Sequence, residues 1–186
     1  MRIAFMGASG TGKTTLAKYL SVEYSLELNP VGSRSVANSM GFDSPYDVDK
    51  VGKRAEFQRR LAKDKFEWEA THDEFVSDRT TFDNLAYTIL HGIEDVDAAA
   101  FDLALRGMRR YTHIFYCSEE EFINVANDPH RKKEGAYHRA YDIVIQGLMK
   151  KYATYAHAIP PVIPILGPDL KKRQLTCRKA LDASQT

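Results

Sequence analysis

Residues 7–14 read Gly-Ala-Ser-Gly-Thr-Gly-Lys-Thr, the spacing G-x-x-x-x-G-K-[ST]. Gly7, Gly10 and Gly12 let the backbone curl tightly with little side chain in the way. Successive N–H groups then face inward and surround an anion. A helix starting near Lys13 adds the positive end of its dipole. Lys13 has the reach for the β and γ phosphates of ATP, and the Thr14 hydroxyl suits Mg²⁺. Ser9, Thr11 and Thr15 complete the set of residues expected around Mg-ATP. A glycine-rich turn that matched by accident would not need an apolar strand before it and a helix after it. Both are present here.

The second chemical stretch is "FVSDRTTFDNLAY", residues 75–87. An apolar run ends in Asp78 and Arg79. In a parallel sheet with a phosphate loop after its first strand, ligands gather at the carboxyl ends of the strands. Asp78 then falls where a Mg²⁺-water ligand or a general base is needed. Arg79 would offer its fork of donors to the transferred phosphoryl group or to an anionic acceptor. The competing reading is a surface ion pair worth at most about 1 kcal/mol. Asp83 stands near the start of the following helix. It serves there either to relieve the helix dipole or to bind substrate, and it is carried forward as a substrate residue.

These residues need a frame. Residues 2–6 read as a short buried strand, and Leu16, Ala17, Leu20 and Tyr24 form a helical stripe. A second strand is expected around 26–31, then a breaker-rich segment with Asn29, Pro30, Gly32, Gly41 and Pro45. Residues 53–72 read as a helix with Phe57, Leu61, Ala62, Phe66 and Ala70 on its apolar face. After the strand ending at Asp78, Phe82, Leu85, Ala86, Ile89 and Leu90 mark a helix that Gly92 stops. An Asp-capped helix is expected from about 96 to 109, and a strand at 112–118. A helical face runs from Tyr137 through Tyr141, Val144 and Leu148 to Tyr152 and Tyr155. The last strand, 161–166, carries prolines, and a final helix begins near Asp169. Alternating strands and helices argue for an α/β fold with a parallel sheet covered on both faces.

The 186 residues suit one domain, 1–186, with no linker or internal repeat. Lys and Arg number 26 against 25 Asp and Glu, a net charge of +1. No global field therefore points at nucleic acid or an anionic membrane. Two distant cysteines, Cys117 and Cys177, form neither a disulfide framework nor a metal pattern. No stretch has transmembrane length. The expectation is a soluble cytoplasmic protein, in the host cytosol if viral, with a homodimer left open.

The glycine loop and residues 75–87 together resemble P-loop small-molecule kinases, typified by nicotinamide-riboside kinase domains and viral deoxynucleoside monophosphate kinases. Those families use a strand ending in Asp-Arg, a following Ser or Thr, then Asp and Tyr on a helix. "NPVGSRSVANSMG", residues 29–41, resembles their substrate-side segment, whose arginine falls on Arg34. Many relatives carry an acidic residue a few positions earlier. Here Asn29, Pro30, Val31 and Gly32 stand there, which leaves Asp78 as the better candidate base. The resemblance implies a three-layer P-loop kinase fold. It also implies a lid at about 127–139 whose Arg131 and Arg139 would neutralise charge on the moving phosphoryl group, and a final turn after Gly167 near which adenine stacks. A role there for Lys172 or Arg173 is weaker than a solvated helix N-terminus.

On the acceptor side, Arg34 and Gln58 are the candidate substrate residues, beside Asp83. Gln58 could pair with the edge of a base. The nearby aromatics Phe57, Phe66 and Trp68 read mainly as core. The implied activity is transfer of the γ-phosphoryl group to a deoxynucleoside monophosphate. Alternatives are a nucleoside, nicotinamide riboside or a modified base in DNA, the last disfavoured by the near-neutral charge. A nucleotide-dependent switch ATPase is a different class of reading, and a non-catalytic binding module a third.

Overall fold

A computed structural model describes residues 1–92, 96–118, 135–153 and 159–184. Among these residues five parallel strands form one sheet in the order β2-β3-β1-β4-β5. They are β1 (Arg2–Met6), β2 (Glu27–Leu28), β3 (Phe75–Asp78), β4 (His113–Tyr116) and β5 (Val162–Pro164). The helices between and after them are α1 (Lys13–Glu23), α2 (Ser33–Ser39), α3 (Asp47–Lys50), α4 (Arg54–Ala70), α5 (Thr81–Leu90), α6 (Ala98–Met108), α7 (Gly135–Ala153) and α8 (Leu170–Asp182).

The period of two along β1 builds the layers. Ile3 and Phe5 face α1 and α8, packing with Leu16, Leu20, Cys177 and Leu181. Ala4 and Met6 face the other way, onto Phe82, Leu85, Met108, Tyr141 and Ile145 of α5, α6 and α7. The central strand is thus buried on both faces, as a parallel sheet requires. The outcome is the three-layer α/β fold expected. The prolines of the last strand are tolerated because β5 is an edge strand. Asp97 caps α6 and Asp169 caps α8, each accepting from the N–H three residues on.

The breaker-rich segment after β2 folds into α2 and α3. The Ser35 hydroxyl accepts from the Gly32 N–H to start α2. Val36, Ala37 and Val48 then close a small core with Phe57 and Leu61. The buried face of α4 is rotated from the apolar stripe. It consists of Phe57, Gln58, Leu61, Lys65 and Glu69, while Ala70 is exposed. A polar network accounts for this. The fully buried Glu69 carboxylate accepts from Ser77 (2.5 Å), Tyr111 (2.9 Å) and Asn29 (3.2 Å), with Lys65 at 3.4 Å. Tyr155 lies outside the described residues.

Candidate active site

The loop after β1 is shaped by its backbone. Gly7 has φ 138°, and a Cβ there would lie 2.1 Å from the Cys117 carbonyl oxygen, so the position admits only glycine. Gly12 adopts the left-handed conformation as the N-cap of α1. No side chain caps this helix and no acidic residue stands in its first turn. No residue of α1 itself therefore offsets its N-terminal N–H groups and dipole, and the nearby carboxylate, Asp78, comes from β3. Lys13 is buried, its ammonium donating to the Ala8 carbonyl and, at 3.2 Å, to the Thr11 hydroxyl. Burial, together with the Arg79 charge, lowers its pKa to about 8 against the partial opposition of Asp78 and Asp83.

β3 delivers Asp78 to this loop. Phe5 of β1 pairs with Asp78 in parallel register, so both strands leave the sheet at the same level. The Thr14 hydroxyl donates to Asp78 Oδ2 at 2.5 Å. Asp78 Oδ1 is buried and has no hydrogen-bond partner among the described residues. A hydroxyl and a carboxylate with one unsatisfied oxygen fit a Mg²⁺ ion or one of its waters. Among the described residues no group of three or more His, Cys, Asp and Glu could hold a metal unaided. A cation here would therefore complete its shell with phosphate oxygens and water.

Arg79 follows in a strained conformation, φ 108°, rare for any side-chain-bearing residue. Its Nη1 donates to the Gly7 carbonyl at 3.3 Å and to Asp83 Oδ1 at 3.2 Å, and its guanidinium lies 4.9 Å from the centre of the Tyr87 ring. Asp83 is 0% exposed and accepts from Gly7 N–H, Arg79, the Thr80 N–H and hydroxyl, and Tyr141. It also completes a capping box with Thr80 at the head of α5. Of the two places expected for Asp83, the one at the head of the helix is thus seen, with the carboxylate engaged within the fold. Its carboxylate is consumed beneath the site, tying the loop, α5 and α7 together.

A cleft of about 710 Å³ opens beside the loop. Ser9, Thr14, Thr15, Asp78 and Arg79 line one part of it, and Arg34 and Gln58 another. The structure thus brings those expected residues to one cavity, whereas the exposed Arg139 is not among its lining residues. Arg131 and most of the segment 127–139 lie outside the described residues. Two carboxamides stand out in the cleft wall. Gln58 Oε1 and Asn84 Oδ1 are both buried and, among the described residues, both without a hydrogen-bond partner. Phe57, Tyr46 and Tyr87 add aromatic surface. Arg54 also lines the cleft, but its charge is matched by Asp49 through two contacts of 2.5 Å.

Sequence reasoning missed Asn84 and Arg54, and it ranked Arg173 as solvated. Asn84 had a signal, being a polar residue between Phe82 and Leu85 on an apolar stripe. Arg173 had none. It sits in the basic run Lys171-Lys172-Arg173, which reads as solvated, yet it is 2% exposed and donates to the Thr11 carbonyl at 2.9 Å. The solvated reading is therefore corrected for Arg173.

Comparison with known proteins agrees with this geometry. The AAA domain family matches residues 2–162. The chain belongs to this AAA-domain family. No curated protein matches it in sequence. Among solved structures, this AAA-domain chain is similar to deoxyadenosine kinase from M. mycoides with bound dCTP, with a TM-score of 0.64 at 14% identity over 98% of this chain and 100% of that one. It is similar to the NadR protein in complex with NAD and AMP-PNP, with a TM-score of 0.70 at 11% identity over 100% of this chain and 49% of that one. Shikimate kinase from Aquifex aeolicus gives 0.59 at 15% identity over 99% and 96%. The fold is that of P-loop small-molecule kinases. Among the described residues no helix is long and apolar enough to cross a membrane.

Proposed function

We propose that the protein transfers the γ-phosphoryl group of Mg-ATP to a small acceptor that carries a nucleobase, either a deoxynucleoside monophosphate or the corresponding nucleoside. The carrying observation is the pairing of two features in one cleft. Thr14 and Asp78 meet at the glycine loop, and the unpartnered Gln58 and Asn84 carboxamides stand among aromatic side chains in the wall. A buried amide oxygen without a partner is costly unless a ligand or water supplies a donor. A carboxamide offers one acceptor and donors side by side, which suits the amine-and-ring-nitrogen edge of a base. Arg34, at the start of α2 in the cleft wall, is the residue we assign to a phosphate on the acceptor.

The chain's own groups divide the work. The loop N–H groups, the start of α1 and Lys13 hold the triphosphate. Thr14 and Asp78 would hold Mg²⁺, which when bound supplies charge neutralisation on the β and γ phosphates. Asp78 Oδ1 orients the acceptor hydroxyl or takes its proton as the acceptor oxygen bonds to the γ phosphorus and the bond to the ADP oxygen breaks. Arg79 is held partly exposed at the same edge by Asp83 and Tyr87, where its charge bears on the transferring group.

The AAA-domain match favours a second reading, hydrolysis of ATP coupled to a partner. Turnover of Mg-ATP against deoxynucleoside monophosphates, nucleosides, nicotinamide riboside, shikimate and modified duplex DNA separates the two. A phosphorylated nucleoside or nucleotide product is the expected result. Phosphorylated shikimate or DNA would overturn the acceptor class, and ADP release with no phosphorylated acceptor would favour hydrolysis.

A further inference from the structure

Arg173 lies on α8, beyond residue 162 where the family match ends. It is among the largest fully buried side chains and reaches back to the middle of the glycine loop, Nη2 to the Thr11 carbonyl at 2.9 Å. Thr11 is itself fully buried. Its hydroxyl donates to the Ala8 carbonyl at 2.9 Å and accepts from Lys13 at 3.2 Å. Cys177 and Leu181 anchor α8 in the same core as Leu16 and Leu20 of α1, so the arginine is held by a docked helix.

We propose that Arg173 is a positioning residue for triphosphate binding: it holds the Thr11–Gly12 peptide so that its N–H faces the phosphates. The reason is geometric. In a planar trans peptide the C=O and N–H point in opposite directions. A guanidinium that fixes the Thr11 carbonyl on the α8 side therefore fixes the Gly12 N–H on the opposite side. Gly12, at φ 82°, would otherwise have unusual freedom to rotate that peptide. The buried positive charge also acts on the loop through a medium of low dielectric, adding to the potential of Lys13 and the α1 dipole. This inference rests on the triphosphate reading of the loop but not on the identity of the acceptor.

The test compares Arg173→Met and Arg173→Lys with the wild-type chain. Affinity is measured for Mg-ATP, for magnesium tripolyphosphate, which has phosphates and no base, and for adenosine, which has a base and no phosphates. Arg173→Met is expected to weaken ATP and tripolyphosphate alike, by about tenfold or more, as loss of a charge-assisted hydrogen bond implies. Adenosine affinity and the acceptor KM stay unchanged, a split that general loosening of the fold would not give. Arg173→Lys restores part of the loss, because it keeps the charge without the planar fork. Unchanged tripolyphosphate affinity in Arg173→Met overturns the proposal. So does a loss confined to adenosine and ATP, which would place Arg173 at the base. If Arg173→Met does not fold, Arg173→Lys decides, and undiminished tripolyphosphate affinity in that variant counts against the clamp. A wild-type chain that fails to bind tripolyphosphate would overturn the triphosphate reading, and the clamp with it.

Discussion

Thr14 Oγ1 and Asp78 Oδ2 lie 2.5 Å apart across 64 residues of chain. One is the last residue of the glycine loop motif and the other the last residue of β3. Their contact joins the two stretches whose chemistry stands out in the sequence. It also leaves Asp78 Oδ1 as a buried oxygen with no partner among the described residues.

Asp78→Asn keeps the shape and removes the charge. It is expected to lower kcat by about 10²–10⁴, the range of general base and charge effects at such positions. Thr14→Val should raise the Mg²⁺ concentration needed for half-maximal rate while leaving the acceptor KM unchanged. A Mg²⁺ titration of the initial rate checks both. If neither variant shifts the metal dependence, Thr14 and Asp78 are not metal-holding residues.

Lys13 makes stability and binding run in opposite directions with pH. Its folded pKa of about 8 is below the 10.5 of the free side chain. Between those values the unfolded chain binds the proton that the folded chain has released, so the stability of the ligand-free protein rises with pH across that window. ATP affinity should be full below pH 8 and fall above it, by at most about tenfold per unit, as the ammonium is lost. Lys13→Met should abolish both slopes and turnover, yet raise ligand-free stability at neutral pH on the order of 1–3 kcal/mol. Denaturant melts and ATP titrations at pH 7, 8 and 9 decide it. A Lys13→Met chain with unchanged turnover would sink the kinase reading.

Asp83 is predicted to act on folding and not on substrate choice. Asp83→Asn leaves Arg79 without its buried partner and breaks the α5 cap, so a loss of about 3 kcal/mol is expected. The acceptor KM of the surviving folded fraction should stay near the wild-type value. A large rise in that KM with stability intact would return Asp83 to the substrate site.

Gln58→Leu and Asn84→Leu should each raise the acceptor KM while leaving ATP affinity untouched. A site built to hydrogen-bond its substrate loses discrimination when that group is removed. The sharper readout is specificity, with the ratio of kcat/KM between purine and pyrimidine acceptors compressed in both variants. Equal loss against every acceptor would instead point to a packing effect.

Much of this architecture was legible because local pattern and tertiary role coincide. The glycine loop, the apolar run ending in Asp78 and the stripe of α5 each declare themselves within a dozen residues. Asp83 was left between two roles although Thr80-x-x-Asp83 has capping-box spacing, since an acid beside an Asp-Arg pair also looks like a ligand. Lys65 and Glu69 of α4 were illegible in principle. Their partners, Asn29, Ser77 and Tyr111, come from three other parts of the chain. Arg173 belongs to the same class, for nothing within α8 distinguishes it from Lys172 until the helix docks on the loop.

The two edges of the sheet also bear on how the protein meets other chains. At one edge β2 is two residues long, and at the other β5 is three and ends in Pro164, which has no N–H to donate. Neither presents a long row of unpaired backbone groups, the template on which chains add strands and aggregate. Association through this sheet is therefore disfavoured at both ends. Crowding at high concentration should therefore not convert the folded protein into extended β assemblies through either edge.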